Sequence, residues 1–304
     1  MNVAYTPPVI SWFDKNTVKH LRLPFSFFLM PVFLFAFSQA SQVNWDKLIL
    51  AFLILHLLIF PSSNGYNSYQ DRDESSIGGL KYPPKITYKL FYATLLMDIF
   101  AVVAGLFISV YFSMLLLVFI IMSRAYSYRN IRLKKYPVAG FLTVFVFQGA
   151  FVYFMSMAAI TDFYGPDLYS LNALICMSIS SLFIGSIYPL TQIYQHQADK
   201  KDGVVSLSYK LGYSGTFIFS AILYSVATAL LYWYFSMKGQ VIAFMLFSVL
   251  MLPVIYKLIS WFVKVRKDTR NADFENTMAM NMMTSVIMNL YFLILILNRY
   301  ENWF

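Results

Sequence analysis

Apolar residues run along this chain in long windows separated by short polar segments. Nine such windows, bounded by charges or by Pro and Gly, fall at about 23–41, 47–63, 88–104, 106–123, 138–160, 169–193, 213–236, 239–262 and 277–298. A helix needs roughly 20 apolar residues to cross a bilayer core about 30 Å thick, and each window has about that length. Windows three and four meet at Gly105 with almost no loop; together they are too long for one crossing, so the chain must turn there. The pattern predicts an all-α integral membrane protein: one domain over residues 1–304, with nine transmembrane helices and a short polar segment, 1–22, before the first. The loops are too short to hold a separate soluble domain.

Composition supports this reading. Hydrophobic residues make up 59% of the chain and charged residues 12%, against about 25% charged in soluble domains. The net charge of +9 would suit nucleic acid, but the basic residues lie in loops between the windows. With nine crossings, all of the 23 Lys and Arg except Lys47, Lys238 and Arg299 fall on the side of the N-terminus and of the loops after spans two, four, six and eight. The positive-inside rule places that side in the cytoplasm. The expectation is a multi-pass protein of a bacterial cytoplasmic membrane, with the bilayer as surroundings, no nucleic-acid partner and no obligate protein partner. Asp14, Pro7 and Pro8 in the first segment do not form a cleavable signal. Cys176, the only cysteine, lies in an apolar window and is expected to pack there, so neither a disulfide nor a Cys-ligated metal site is available.

Two polar loops repeat one pattern. Span two ends in Tyr66-Asn67-Ser68-Tyr69-Gln70-Asp71-Arg72-Asp73-Glu74, and span six in Tyr194-Gln195-His196-Gln197-Ala198-Asp199-Lys200-Lys201-Asp202. Each reads Tyr, a carboxamide, three residues, Asp, two residues, an acid. If the helices continue that far, amide and carboxylates at i, i+4 and i+7 share a face. Two such faces opposed across a cavity would offer hard oxygen ligands with open positions, suited to Mg²⁺ shared with a phosphate. Either loop alone would read as a solvated helix end; the repetition at matching ends favours one site built from both. A third loop, Tyr126 to Pro137, lies on the same side, so Arg132 and Lys134 can neutralise a diphosphate. Taken singly, it would read as a positive-inside determinant.

These three loops resemble those of the UbiA-type membrane prenyltransferases. The stretch from Asn67 to Ser75 is similar to that family's Asn-Asp-x-x-Asp-x-x-x-Asp motif. Asp199, Gly203, Ser206, Leu207, Leu211 and Gly212 are similar to the tail of its second motif, Asp-x-x-x-Gly-x-x-Thr-Leu-x-x-x-Leu-Gly. Tyr126-Ser127, Arg132-Leu133-Lys134 and Pro137 match its Tyr-Ser-x-x-x-x-Arg-Leu-Lys-x-x-Pro loop. The chain departs from the family at Ser68, Ser75 and Gln195, where Asp is usual; an amide can coordinate through oxygen but adds no charge.

The resemblance implies helices bundled around a central cavity open to the cytoplasmic side, and Mg²⁺-dependent transfer of a prenyl group from a prenyl diphosphate to a lipophilic acceptor. It implies metal ligands at Asn67, Asp71, Gln195 and Asp199 and catalytic roles for Asp71, Asp199, Arg132 and Lys134; Glu74 and Asp202, acids close by in the two loops, are read from the residues alone as substitutes for the missing acids. Arg72, Lys200, Tyr66, Tyr69, Tyr126 and Tyr194 are substrate-binding candidates, the tyrosines as faces for a prenyl cation, although Tyr is also common at membrane interfaces. His196 is a candidate base, or simply a solvent-facing loop histidine. A terpene cyclase on the same scaffold is the alternative enzyme, and a secondary transporter the alternative from another class.

Overall fold

A computed structural model describes residues 13–72, 74–161, 168–301 and 303; Pro7, Pro8 and Asp73 lie outside them. The described chain is helical throughout, with a single bridge between Ile77 and Leu80 in place of any strand. After α1 (Lys15–Leu21), a 3₁₀ turn (Leu23–Phe28) leads into α2 (Met30–Gln39). Eight long helices follow: α3 (Trp45–Asp71), α4 (Tyr88–Gly105), α5 (Val110–Ser127), α6 (Pro137–Ile160), α7 (Leu171–Lys201), α8 (Leu207–Met237), α9 (Val241–Lys267) and α10 (Phe274–Glu301). All eight are long and apolar enough to cross a membrane, and the pair Lys15–Phe28 and Met30–Gln39, bent by 41°, makes a ninth. The first crossing is therefore a broken helix where the hydropathy window 23–41 showed one element. The bend falls at Leu29, between the 3₁₀ turn and α2; Arg22, in the left-handed region at φ 48°, ends α1 ahead of it, and Pro24 and Pro31 stand at the beginnings of the two segments that follow, where a missing N–H costs least. The turn expected at Gly105 is present between α4 and α5.

Other helices are interrupted along their length as well. π-helical turns occupy Ile54–Ile59 in α3 and Phe145–Ala150 in α6, the first just ahead of Pro61, whose ring and absent N–H disturb the preceding ladder. In α8 the backbone kinks at Gly212 (φ 67°, ψ 179°), a conformation open to glycine.

The helices pack as neighbours in chain order, α3 on α4, α4 on α5, α7 on α8, α8 on α9 and α9 on α10, while α10 also packs on α2 and α2 on α6. One continuous apolar core runs through the bundle and includes Cys176, fully buried and free. Leu252, Val249 and Phe100 instead stand exposed on the outside of their helices, as side chains facing lipid do, because hydrocarbon tails accept apolar surface that water would reject. The chain is an integral membrane protein by this architecture.

Candidate active site

The polar rungs between α3 and α5 set the height of the first motif. The two helices run parallel, and Ser63 meets Ser123 (2.6 Å) and Asn67 meets Ser127 (2.9 Å), each pair sixty residues apart. In a membrane such hydrogen bonds replace the hydrophobic drive that is absent between helices. Beside the Ser63–Ser123 rung, one residue away on each helix, Ser62 and Arg124 both bond Asp98 of α4, and the Arg124 guanidinium lies 3.8 Å from the centre of the Tyr66 ring.

Asn67 and Asp71 thus stand one turn apart on the same face of α3. The helix ends at Asp71, because Arg72 adopts the left-handed region (φ 54°) and caps it. Glu74 lies beyond that cap, exposed and off the helical face, so the i+7 position of the sequence pattern is not carried by a continuing helix. The second motif differs again. Gln195 closes a 3₁₀ turn, Asp199 sits in the short helix His196–Lys201, and Asp202 is its C-cap.

The loop between α5 and α6 joins the two motifs. Arg132, buried and itself left-handed at φ 48°, donates to Asp71 Oδ1 (3.3 Å), to the Asp202 carbonyl (3.1 Å) and to the Asp202 carboxylate. Burial opposes its charge, but hydrogen bonding and attraction from Asp202, then Asp71, outweigh that and hold the guanidinium pKa above its ordinary value. Lys134 pairs with the other Asp71 oxygen and donates to Asn67 Oδ1 at 2.9 Å. Arg129 ties the loop to the α3 terminus through the carbonyls of Gln70 (2.7 Å) and Asp71 (3.1 Å).

Asn67, Asp71, Lys134, Tyr126, Tyr194, Gln195 and Asp199 line one cavity. Arg22, Tyr188 and Gln192 also line it. In the sequence Arg22 stands out only as a loop charge; in the fold its guanidinium, buried, bonds the Gly78 carbonyl and the Asn64 carbonyl, each at 3.0 Å. Tyr188 bonds Tyr126 hydroxyl to hydroxyl (2.5 Å) and accepts from Gln192 (2.9 Å). The signal for Tyr188 was its position seven residues before Gln195, two turns back along the same helix.

Other candidates lie elsewhere. Tyr66 packs beneath Arg124 and against Phe91, and Tyr69 against Phe91 with Arg72 5.8 Å from its ring centre. Arg72, Glu74 and Asp202 line an outer pocket that shares Asp71 and Gln195 with the cavity. Lys200 is exposed and lies over Tyr209. His196 is not solvent-facing as a loop histidine would be: it is buried, bonded to Ser208 (2.8 Å) and stacked on Tyr213.

No three carboxylate, His or Cys side chains converge among the described residues. The donor set at the cavity is two carboxylates, Asp71 and Asp199, with the amide oxygens of Asn67 and Gln195. All are hard oxygens, and their small number leaves positions for other oxygens, which fits Mg²⁺ held together with a phosphate ligand rather than by the protein alone.

A polytopic helical bundle with acids and bases gathered at one end of a cavity is the class that fold and site define. The sequence profile of the UbiA prenyltransferase family matches residues 26–283, and the chain belongs to that family. No curated protein sequence matches it significantly. The fold is similar to that of a UbiA homologue from Archaeoglobus fulgidus bound to DMAPP and Mg²⁺ (TM-score 0.67, 16% identity, covering 93% of this chain and 99% of that one). The same homologue bound to GPP and Mg²⁺ gives a TM-score of 0.65 at 16% identity, over 93% and 99% of the two chains. A structure concerned with digeranylgeranylglyceryl phosphate synthase gives 0.60 at 18% identity, over 93% and 97%.

Proposed function

We propose that this chain transfers a prenyl group from a prenyl diphosphate to a lipophilic acceptor within the membrane, at a site facing the cytoplasm. The observation that carries this reading is the meeting of Asp71 and Asp199, from two different helices, with Lys134 and Arg22 around one cavity whose inner continuation is apolar. A diphosphate needs the first end and a prenyl chain the second. The relatives bound to GPP or DMAPP with Mg²⁺ support the donor class.

Asn67, Asp71, Gln195 and Asp199 would hold Mg²⁺. When bound, Mg²⁺ would supply charge neutralisation for the leaving diphosphate. Lys134 and Arg132, which hold both oxygens of Asp71 in this structure, would turn part of their hydrogen bonding to the diphosphate and stabilise the charge it gains. The allylic C–O bond breaks with its electron pair leaving on the diphosphate. An electron pair of the acceptor forms the new bond to the allylic carbon, and the proton the acceptor loses passes to the released diphosphate. The rings of Tyr126, Tyr188, Phe119 and Phe147 line the cavity and would face the cation, each contributing about 0.5–2 kcal/mol.

Incubating the purified chain with geranyl diphosphate and Mg²⁺ tests this: pyrophosphate release that increases with a lipophilic acceptor, and a prenylated product, are expected. A cyclic hydrocarbon formed without acceptor would establish cyclisation instead, and absence of any pyrophosphate release would remove the donor reading.

A further inference from the structure

The diphosphate cavity continues inward as an apolar channel, and two helices give its direction. On α10, Met278 lines the polar cavity, Asn281 the junction, and Ser285, Met288 and Phe292 the channel, at steps of three and four residues. On α7 the order runs with falling residue number: Gln192 and Tyr188 line the polar cavity, Ile187 and Ile184 the junction, and Ser180 the channel. Both helices therefore trace one path from the acids and bases into the bundle.

Small side chains keep this channel open and large ones end it. Ser180 of α7, Ser220 of α8 and Ser285 of α10 line it, and Ser180 turns its hydroxyl back to the Cys176 carbonyl of its own helix (2.9 Å), as serine does inside a helix. At the far end Phe35 of α2 stacks on Phe292, their ring centres 4.8 Å apart, and Tyr153 packs edge-on against Phe35 at 5.3 Å from outside the channel. Phe35, Phe292 and Tyr153 are buried, as are Val32, Met251 and Met288 beside them. Among the described residues none that lines the channel is exposed. The channel thus ends on a floor of packed rings in the core and not at lipid.

The floor fixes a length. From Met278 or Asn281 to Phe292 along one helix face, at 1.5 Å per residue, is about 16–21 Å. An isoprene unit adds four chain bonds of about 1.5 Å, or about 5 Å when extended, so the path takes about three to four units.

Resting on the donor reading above, we infer that the prenyl donor is a farnesyl or geranylgeranyl diphosphate and that the Phe35–Phe292 stack sets this limit. Lipid tails are as apolar as the channel, so a chain gains little by transfer alone and fit decides. A shorter chain leaves a void above the floor, and a longer one has to displace packed rings; both are unfavourable. Geranyl reaches about half of the depth and is a poorer donor for that reason.

The test uses the full chain in lipid nanodiscs with Mg²⁺ and the S-thiolo analogues of dimethylallyl, geranyl, farnesyl, geranylgeranyl, geranylfarnesyl and octaprenyl diphosphate, whose C–S bond resists ionisation, so that binding is read without an acceptor. Affinity, expressed against each analogue's mole fraction in the lipid, is expected to peak at farnesyl or geranylgeranyl, with the geranyl and octaprenyl analogues each weaker by about tenfold or more. Ser285→Phe fills the channel about 10 Å before the floor and should lower the geranylgeranyl-to-geranyl affinity ratio by about tenfold or more. Phe292→Ala removes half of the floor and should raise the geranylfarnesyl-to-farnesyl ratio by a similar factor; thermal unfolding checks that both variants fold, and the wild-type profile is a test without them. A peak at dimethylallyl or geranyl, octaprenyl bound as tightly as geranylgeranyl, or an unchanged length profile in both folded variants would overturn the inference. Binding of none of the analogues would instead sink the donor reading on which it rests.

Discussion

Asn67 Oδ1 accepts a hydrogen bond from the Lys134 ammonium at 2.9 Å, joining the α3 motif to the loop before α6. The same oxygen accepts from Ser127 at 2.9 Å. The amide is thereby locked with its oxygen toward the cation, and Lys134 can span Asn67 and Asp71 at once. Acid and base are preassembled, each satisfying the other until a charged substrate competes.

The first prediction concerns the two aspartates. Asp71→Asn and Asp199→Asn should each abolish turnover while the protein still folds, since Arg132 keeps Asp202 and Lys134 keeps Asn67 as partners in the Asp71 variant. Pyrophosphate release, read beside thermal unfolding in detergent, checks this; full activity in either variant would remove that residue from the site.

Arg132 and Lys134 should separate in kind. Replacing either by Ala should weaken donor use by about 2–5 kcal/mol, as for truncation of a buried charge partner. Of the two, only Arg132→Ala should also loosen the loop, because Arg132 bonds both Asp71 and Asp202, a link it shares with Arg129, whereas Lys134 bonds Asp71 and Asn67 on the one helix. Donor kcat/KM with melting temperature for both variants distinguishes the roles, and equal loss of stability in both would contradict the division.

Gln195→Asp restores a carboxylate beside Asp71 and Asp199. Its amide now donates to the Ser76 carbonyl at 3.3 Å, a long bond that leaves the oxygen available to the cavity. The variant should reach half-maximal activity at lower Mg²⁺. A changed product spectrum with the same Mg²⁺ dependence would mean that the residue shapes the substrate's path instead.

Asp98 and Arg124 form an ion pair inside the bundle, with Ser62 bonding both. Asp98→Leu leaves the guanidinium without its carboxylate and should cost about 3–5 kcal/mol of stability. Asp98→Leu with Arg124→Met should recover much of it, in thermal unfolding, because no lone charge remains. Recovery absent from the double variant would show that the pair contributes more than mutual neutralisation.

Gly149 sits where α6 meets α7. A Cβ there would come within 2.4 Å of the Ser181 Cα, and the neighbouring Ala150 N–H donates to Ser181 Oγ at 2.9 Å. Gly149→Ala should therefore push two backbones apart and destabilise by about 1–3 kcal/mol, measurable as a lower melting temperature.

The windows of apolar residues by themselves determined that the chain crosses a membrane, roughly where each helix lies, and which loops share a side. These quantities are local sums over a few turns, so no distant contact alters them. The motif loops could be matched to a family for a related reason: their spacing is a property of contiguous chain. Whether a side chain enters the cavity was not legible in that way. Tyr66 and Tyr126 look alike in sequence, yet Tyr66 turns beneath Arg124 and Tyr126 lines the cavity. Arg22, Asn64, Gln148 and Asn281 belong to no motif, and their meeting around connected cavities follows from helix rotation, the break before α2 and the polar rungs between α3 and α5. A rotation of one residue turns a side chain by about 100° at nearly unchanged hydropathy. Only packing of each helix against its neighbours decides which face looks inward, and so which polar groups share a site.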